Sequence, residues 1–404
     1  MNPTEKASIP TMGSRFADWV LFAGLVARAM GHSFLLVALP PLGRLFGFGD
    51  LQTGLLLSFG ALGMLVAAPA WGVVAEKKGR RPVLLIALGA ATIAAAAYGF
   101  LVQSGVRDLF LPTTLFLLFI AARSVQAFGA AGIMPAAQAW IADSTSTRGR
   151  AGGMGFMGAA FGLGGILGAA LLFSITGAGV HLGFYLIAGI TALTLVLAFF
   201  HLREPEVELT PGSPSAGFNL KGISPCLVVT FVGVLVYGVL QQVTGLRLQD
   251  DFQFEPLQAA SRAGGVMMTM AISMVLAQGI AMRFLRIRPE RLVGIGAILG
   301  ASALVLLALA GDLRILTLGM GVLGFSLGLT LPANLAVMSL RTGNDAQGKI
   351  AGINGTAQGL AMVAGPALGA ALFQQSSETP YWVISSMLLI AGVGFSFAVK
   401  KQSL

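Results

Sequence analysis

The sequence predicts an all-α polytopic membrane protein of twelve transmembrane helices arranged in two six-helix halves. Three observations carry this expectation. Of the 404 residues 56% are hydrophobic and 10% charged, and 55 are glycine, about twice the glycine share of an ordinary soluble chain. The apolar residues fall in twelve long runs, and at about 20 to 25 residues per crossing these use roughly 240 to 300 residues. The net charge of +9 sits in short clusters between the runs, a topology signal rather than a nucleic-acid surface.

The runs lie at about 18–40, 51–75, 82–103, 112–140, 150–175, 181–202, 222–245, 258–284, 290–311, 313–338, 348–374 and 380–399. The first follows a polar stretch with Lys6 and Arg15 and is long enough to span, so it reads as an uncleaved helix. Twelve crossings put both termini on one side. That side gathers Lys77, Lys78, Arg80, Arg81, Arg148, Arg150, Arg283, Arg286, Arg288, Lys400 and Lys401 among others, whereas the opposite side has Arg44, Arg107, Arg247, Arg262 and Arg314. The positive-inside rule makes the side of the termini cytoplasmic, so the expected location is the inner membrane. A stretch rich in Pro, Glu and Ser at 203–221 reads as a cytoplasmic linker between halves 1–202 and 222–404. The single Cys226 is read as a packing residue, and no metal site or cofactor is expected.

The halves repeat. Sliding the chain on itself by 197 positions lays Pro135 on Pro332, Gly155 on Gly352, Gly158 on Gly355, Gly162 on Gly359 and Gly168 on Gly365. Six helices of shift preserve orientation, so the repeat is parallel with its axis along the membrane normal, an arrangement found in secondary transporters with a site between the halves.

The loop after the second run reads Gly72-Val73-Val74-Ala75-Glu76-Lys77-Lys78-Gly79-Arg80-Arg81-Pro82. Its glycines permit a tight reversal, and Glu76 facing Arg80 forms a latch between helices, which Asp143 at the end of the fourth run joins. Ala121-Ala122-Arg123-Ser124-Val125-Gln126 places an arginine about 15 Å into its helix, and Gly155, Gly164 and Gly168 recur along the fifth run. These segments resemble the signature loop, intramembrane arginine and antiporter motifs of the major facilitator superfamily, most closely its twelve-span drug and metabolite antiporters. Glu76 stands where aspartate is usual, and Ala169 where a proline is expected. The resemblance implies the two-lobed major facilitator fold, no enzymatic activity, a small-molecule substrate, a role for Arg123 in proton coupling and a cavity lined by the first and fourth helices of each half.

Arg28 lies about ten residues into the first run, with His32 one turn later on the same face. Every acidic residue falls in a loop, a tail or a span end, with Asp18 and Asp143 the nearest. Two intramembrane cations with no acid at their depth predict an electropositive cavity and an anionic or zwitterionic amphipathic substrate. The alternative is that the arginines only hold helices together. Gln126, Tyr237, Gln241, Gln242, Asn334, Asn354 and Gln358 complete the candidate binding set, and His32 joins Arg123 as a coupling candidate. The expected activity is proton-coupled export by a monomer. Import or exchange of an organic anion, and a non-transporting sensor, are the alternatives. The strings Gly153–Gly158, Gly324–Gly328 and Gly343–Lys349 imitate nucleotide and nucleophile motifs but lack the strand-turn-helix setting these need.

Overall fold

Apolar runs of this length have one stable form in a bilayer, because only a helix satisfies every backbone N–H and C=O within the segment. The computed structural model describes residues 12–144, 150–175, 179–204, 220–281, 287–342 and 347–402. Its helices are α1 (Met12–Leu45), α2 (Asp50–Lys78), α3 (Arg80–Val106), α4, α5 (Arg150–Ser174), α6 (Val180–His201), α7 (Leu220–Asp250), α8 (Pro256–Leu276, prolonged by a π-turn at Ala277–Ala281), α9 (Pro289–Ala308), α10 (Leu313–Thr342), α11 (Gln347–Phe373) and α12 (Thr379–Gln402). The composite α4 joins Pro112–Ser124, a π-turn at Val125–Gly129, a 3-10 turn at Ala130–Gly132 and Ile133–Ser144. Twelve helices are long and apolar enough to cross a membrane, and the described residues contain no strand.

The helices match the expected runs with one informative difference. Helix α1 continues past Pro40-Pro41 to Leu45, although proline lacks the N–H that a helix interior uses. The turn survives because Phe46 N–H bonds back to Leu42 O, and Gly47 at φ +77° then ends it. The Pro41 carbonyl accepts from Gln249 Nε2 at 3.0 Å, an anchor in the other half.

Packing reproduces the repeat. Helix α1 packs along α5 as α7 does along α11, and α3 along α6 as α9 does along α12. Contacts between the halves repeat too, as α2 with α11 and α5 with α8. The matched glycines occupy matched environments: a methyl at Gly168 would strike α1 at Met30, and one at Gly365 would strike α7 at Gly238.

The two halves meet at the end away from the termini. There Ser261 Oγ donates to Phe173 O at 2.9 Å, Ala367 N donates to Ser58 Oγ at 3.2 Å, and Gly54 lies against Pro366 and Ala370. Midway, Gly162 faces Val275 and Gly359 faces Leu65. Toward the side of the termini, methyls at Gly155, Gly158, Gly352 or Gly355 would meet nothing within 4 Å among the described residues. The cleft between α5 and α8 and between α2 and α11 therefore opens toward the termini.

Candidate functional site

The helix of α4 that begins at Pro112 brings Arg123 to its last turn, and the π-turn after it re-aims the following side chains. The guanidinium crosses to α2, where Gly60 leaves the space it occupies; a Cβ there would lie within the guanidinium itself. Nη2 donates to Leu57 O at 3.2 Å, and Nη1 donates to Gln126 Oε1. The Tyr98 hydroxyl donates to the same amide oxygen at 3.1 Å. Arg123 is 1% exposed, and its Nε has no partner.

Arg28 on α1 is 8% exposed, and its one hydrogen bond runs from Nη2 to Met64 Sδ at 3.7 Å, a weak acceptor. Its Nε is also unpartnered, as is Nδ1 of the half-buried His32 one turn on. The charges of Arg28 and Arg123 act on each other and on His32. Among the described residues the ion pairs are Arg44–Asp50, Arg44–Asp250 and Arg247–Asp251, none at this depth.

Arg28 and Arg123 are both buried and take their acceptors, Met64, Leu57 and Gln126, from the N-terminal six helices. His32 keeps an accessible edge. The C-terminal candidates also separate. Asn334 Nδ2 donates to Cys226 O at 2.8 Å and to Thr230 Oγ1 at 3.0 Å, and Thr230 donates to Asn354 Oδ1 at 2.8 Å. That chain ties α10, α7 and α11 together below the surface. Gln242 Nε2 reaches across to Asp50 O at 3.3 Å, while Gln241 is buried beside Tyr237. Gln358, one turn beyond Asn354, is exposed.

The loop between α2 and α3 is held differently from the expectation. Glu76 is exposed and has no partner among the described residues, so the Glu76–Arg80 pair is not formed. The carboxylate that does the holding is Glu204, just past α6. It accepts from Arg80 N at 2.5 Å and Arg81 N at 2.9 Å, capping the first turn of α3 where unpaired N–H groups favour an anion. Gly79, at φ +98°, is the glycine the reversal requires, since a side chain there would also collide with Glu204. Gly72, by contrast, has ordinary space over Pro135. Arg80 packs back on Ala75 O, Arg81 donates to Phe199 O at 2.7 Å, and the side chain of Asp143 lies outside the described residues. Replacing Glu204 by alanine is expected to cost about 1 kcal/mol, read as a lower melting temperature; an unchanged value would remove the capping role.

Two residues escaped the sequence reading. Arg44 forks between Asp50 of its own half, at 2.7 Å, and Asp250 of the other, and also donates to Gln249 Oε1 at 3.2 Å. This charged clasp closes the end away from the termini. Arg247 is buried against α9 and stacked on Tyr381. In the sequence both count only as basic residues of the far side; the available signal was Asp250 and Asp251, three and four places after Arg247, and Asp50, six places after Arg44.

The sequence profile described as Major Facilitator Superfamily matches residues 21–366 and, again, 263–403. Multidrug resistance protein 2 of Bacillus subtilis (strain 168) is 25% identical over 396 residues, covering 95% of each chain. The class D tetracycline resistance protein of Salmonella ordonez is 28% identical over 395 residues, covering 93% of this chain and 95% of that protein. Among solved structures, a bacterial homolog of the human lysosomal transporter Spinster, in an inward-facing and occupied conformation, superposes with a TM-score of 0.75 at 16% identity, over 96% of this chain and 97% of that one. With twelve membrane helices, repeated packing and a profile match over most of its length, the chain belongs to the major facilitator superfamily, a family of transporters rather than enzymes.

Proposed function

We propose that the chain is a proton-coupled exporter of small amphipathic organic anions or zwitterions, working by alternating access in the cytoplasmic membrane. The observation that carries this reading is the one-ended contact between the six-helix groups: closed at Arg44, Ser58 and Ser261, parted at Gly155 and Gly352. A cleft open at one end, between two bodies of like packing, is half of an alternating cycle in which 1–202 and 222–404 rock about their midplane while 203–221 tethers them. The basic residues on the side of the termini make that side cytoplasmic, so this state faces inward. Export is supported by relatives named for multidrug and tetracycline resistance, since expelling a drug is the way a membrane transporter confers resistance to it.

The substrate's charge follows from the core. Arg28 and Arg123 are buried without a carboxylate, and in a low-dielectric wall their field reaches the adjacent cleft with little screening. They act on the substrate from behind the surface, with the accessible His32, Tyr237 and Gln358 offering contact. His32, whose reference pKa is about 6.5, is the group placed to carry a proton, and the chain works as a monomer.

The test uses inside-out proteoliposomes with an acidic lumen and a fluorescent amphipathic anion. Accumulation is expected, falling at least tenfold in Arg123→Gln with the melting temperature retained. His32→Gln is expected to remove the dependence on the pH gradient but leave counterflow. Equal transport of cations and anions by wild type and Arg123→Gln would overturn the substrate assignment. Failure to move any solute would overturn the transport reading.

A further inference from the structure

Helix α4 is broken where its counterpart is not. After Arg123 the chain takes a π-turn at Val125–Gly129 and a 3-10 turn at Ala130–Gly132, whereas α10, the fourth helix of the second half, runs unbroken from Leu313 to Thr342. No charged residue lies between Arg314 and Arg341 of α10. The packing that the halves share does not demand the break; it accompanies the buried arginine. A π-turn departs from the regular helical bonding pattern, and its main-chain groups look for partners outside their own helix.

Helix α2 supplies such partners. Gly60 makes room for the Arg123 guanidinium, Gly63 lies against Ala127 and the Phe128 ring, and the half-buried Trp71 donates its indole N–H to Phe128 O at 2.6 Å. The indole also rests on Gly132, where a Cβ would come within 3.1 Å of the ring. On the other side Gly129 backs onto Ala90 of α3, and the Tyr98 hydroxyl meets Gln126. Gln126 is the second residue of the π-turn, and its Oε1 accepts from Arg123. The direction in which Gln126 points, and with it the seat of the guanidinium, depends on the π-turn keeping its shape. Indole offers one donor and no acceptor, so phenylalanine at 71 would lose the bond to Phe128 O and keep much of the ring contact.

We propose that Trp71 is a positioning residue for the buried arginine: by fastening the π-turn through Phe128 O, it aims Gln126 at Arg123. One helix then both seats the guanidinium, at Gly60, and fixes the turn that holds it, at Trp71. The effect on transport rests on the role of Arg123 proposed above; the effect on the π-turn does not.

The experiment compares wild type, Trp71→Phe, Arg123→Gln and the double variant as full-length proteins. Amide hydrogen exchange over residues 125–132 in detergent is expected to quicken about fivefold in Trp71→Phe, as for the loss of one hydrogen bond. In proteoliposomes kcat/KM for the fluorescent anion is expected to fall roughly three- to tenfold in Trp71→Phe, but by less than about twofold when the same change is added to Arg123→Gln. Should Trp71→Phe fail to fold, benzothienylalanine at position 71, which keeps the fused ring and replaces only the N–H by sulfur, is read in the same assays. Unchanged exchange over 125–132 would overturn the fastening, and an equal loss of flux with and without Arg123 would reduce Trp71 to a packing residue. If wild type moves no anion the proposed function fails, while the exchange measurement still decides the part played by Trp71.

Discussion

Arg247→Ala is expected to lower stability by about 3–5 kcal/mol, as removal of one member of a buried charged cluster does. The last carbonyls of a helix have no partner within it, and Arg247 supplies one for α9. Nη1 donates to Leu307 O at 2.5 Å, and Nη2 donates to Ala308 O at 3.2 Å and Ala310 O at 3.1 Å. Nε holds Asp251 at 2.8 Å, and the guanidinium lies 4.8 Å from the centre of the Tyr381 ring. Alanine leaves three carbonyls and a carboxylate without their shared donor, at a site 2% exposed. Lysine keeps the charge but not the fork, so Arg247→Lys is expected to fall between. Thermal and denaturant unfolding in detergent check the order; losses under about 1 kcal/mol for both variants would show that water replaces the guanidinium there.

Gly60→Ala is expected to abolish transport and to cost several kcal/mol, because its methyl must evict the Arg123 guanidinium. Eviction breaks the bonds to Leu57 O and Gln126 and strands a cation among apolar neighbours, the costly outcome for a buried charge. The mechanism makes a sharper prediction for the pair. In Arg123→Gln the space opposite Gly60 is relieved, so adding Gly60→Ala to that background should cost far less than adding it to wild type. A double-mutant cycle is expected to give a coupling of at least about 1 kcal/mol. Additive losses would mean that α2 and α4 part around the methyl instead.

The architecture was legible because it is written redundantly. Long apolar runs, flanking basic residues and a 197-position glycine repeat each specify twelve helices in two similar sets, and the packing of Gly168 on α1 and Gly365 on α7 repeats as the repeat requires. Burial was legible as well: counting residues from a helix start places Arg28 and Arg123 well inside their apolar runs, and both side chains are buried. Direction was not. Whether Arg123 turns into its own half or toward the other depends on Gly60, sixty-three positions earlier, and on a π-turn that the residues Val125–Gly129 do not announce. The loop holds a contact that spacing does not reveal. Glu76 lies four places from Arg80 and points to solvent, while Glu204 arrives from the end of α6 and takes the backbone donors of Arg80 and Arg81. Local spacing cannot show an acceptor that is distant in sequence.

Arg44 keeps Asp50 as a companion on its own side of the cleft while it also grips Asp250 across it, and the two carboxylates differ in exposure, at 17% and 44%. Parting the halves at that end therefore never leaves a bare guanidinium; it exchanges a doubly engaged cation for a singly engaged one and releases a carboxylate already wetted by solvent. In the proposed cycle the clasp is then a toggle with a shallow bias, and dissolved electrolyte on the side away from the termini, by shielding Asp250, is expected to shift its resting position toward release.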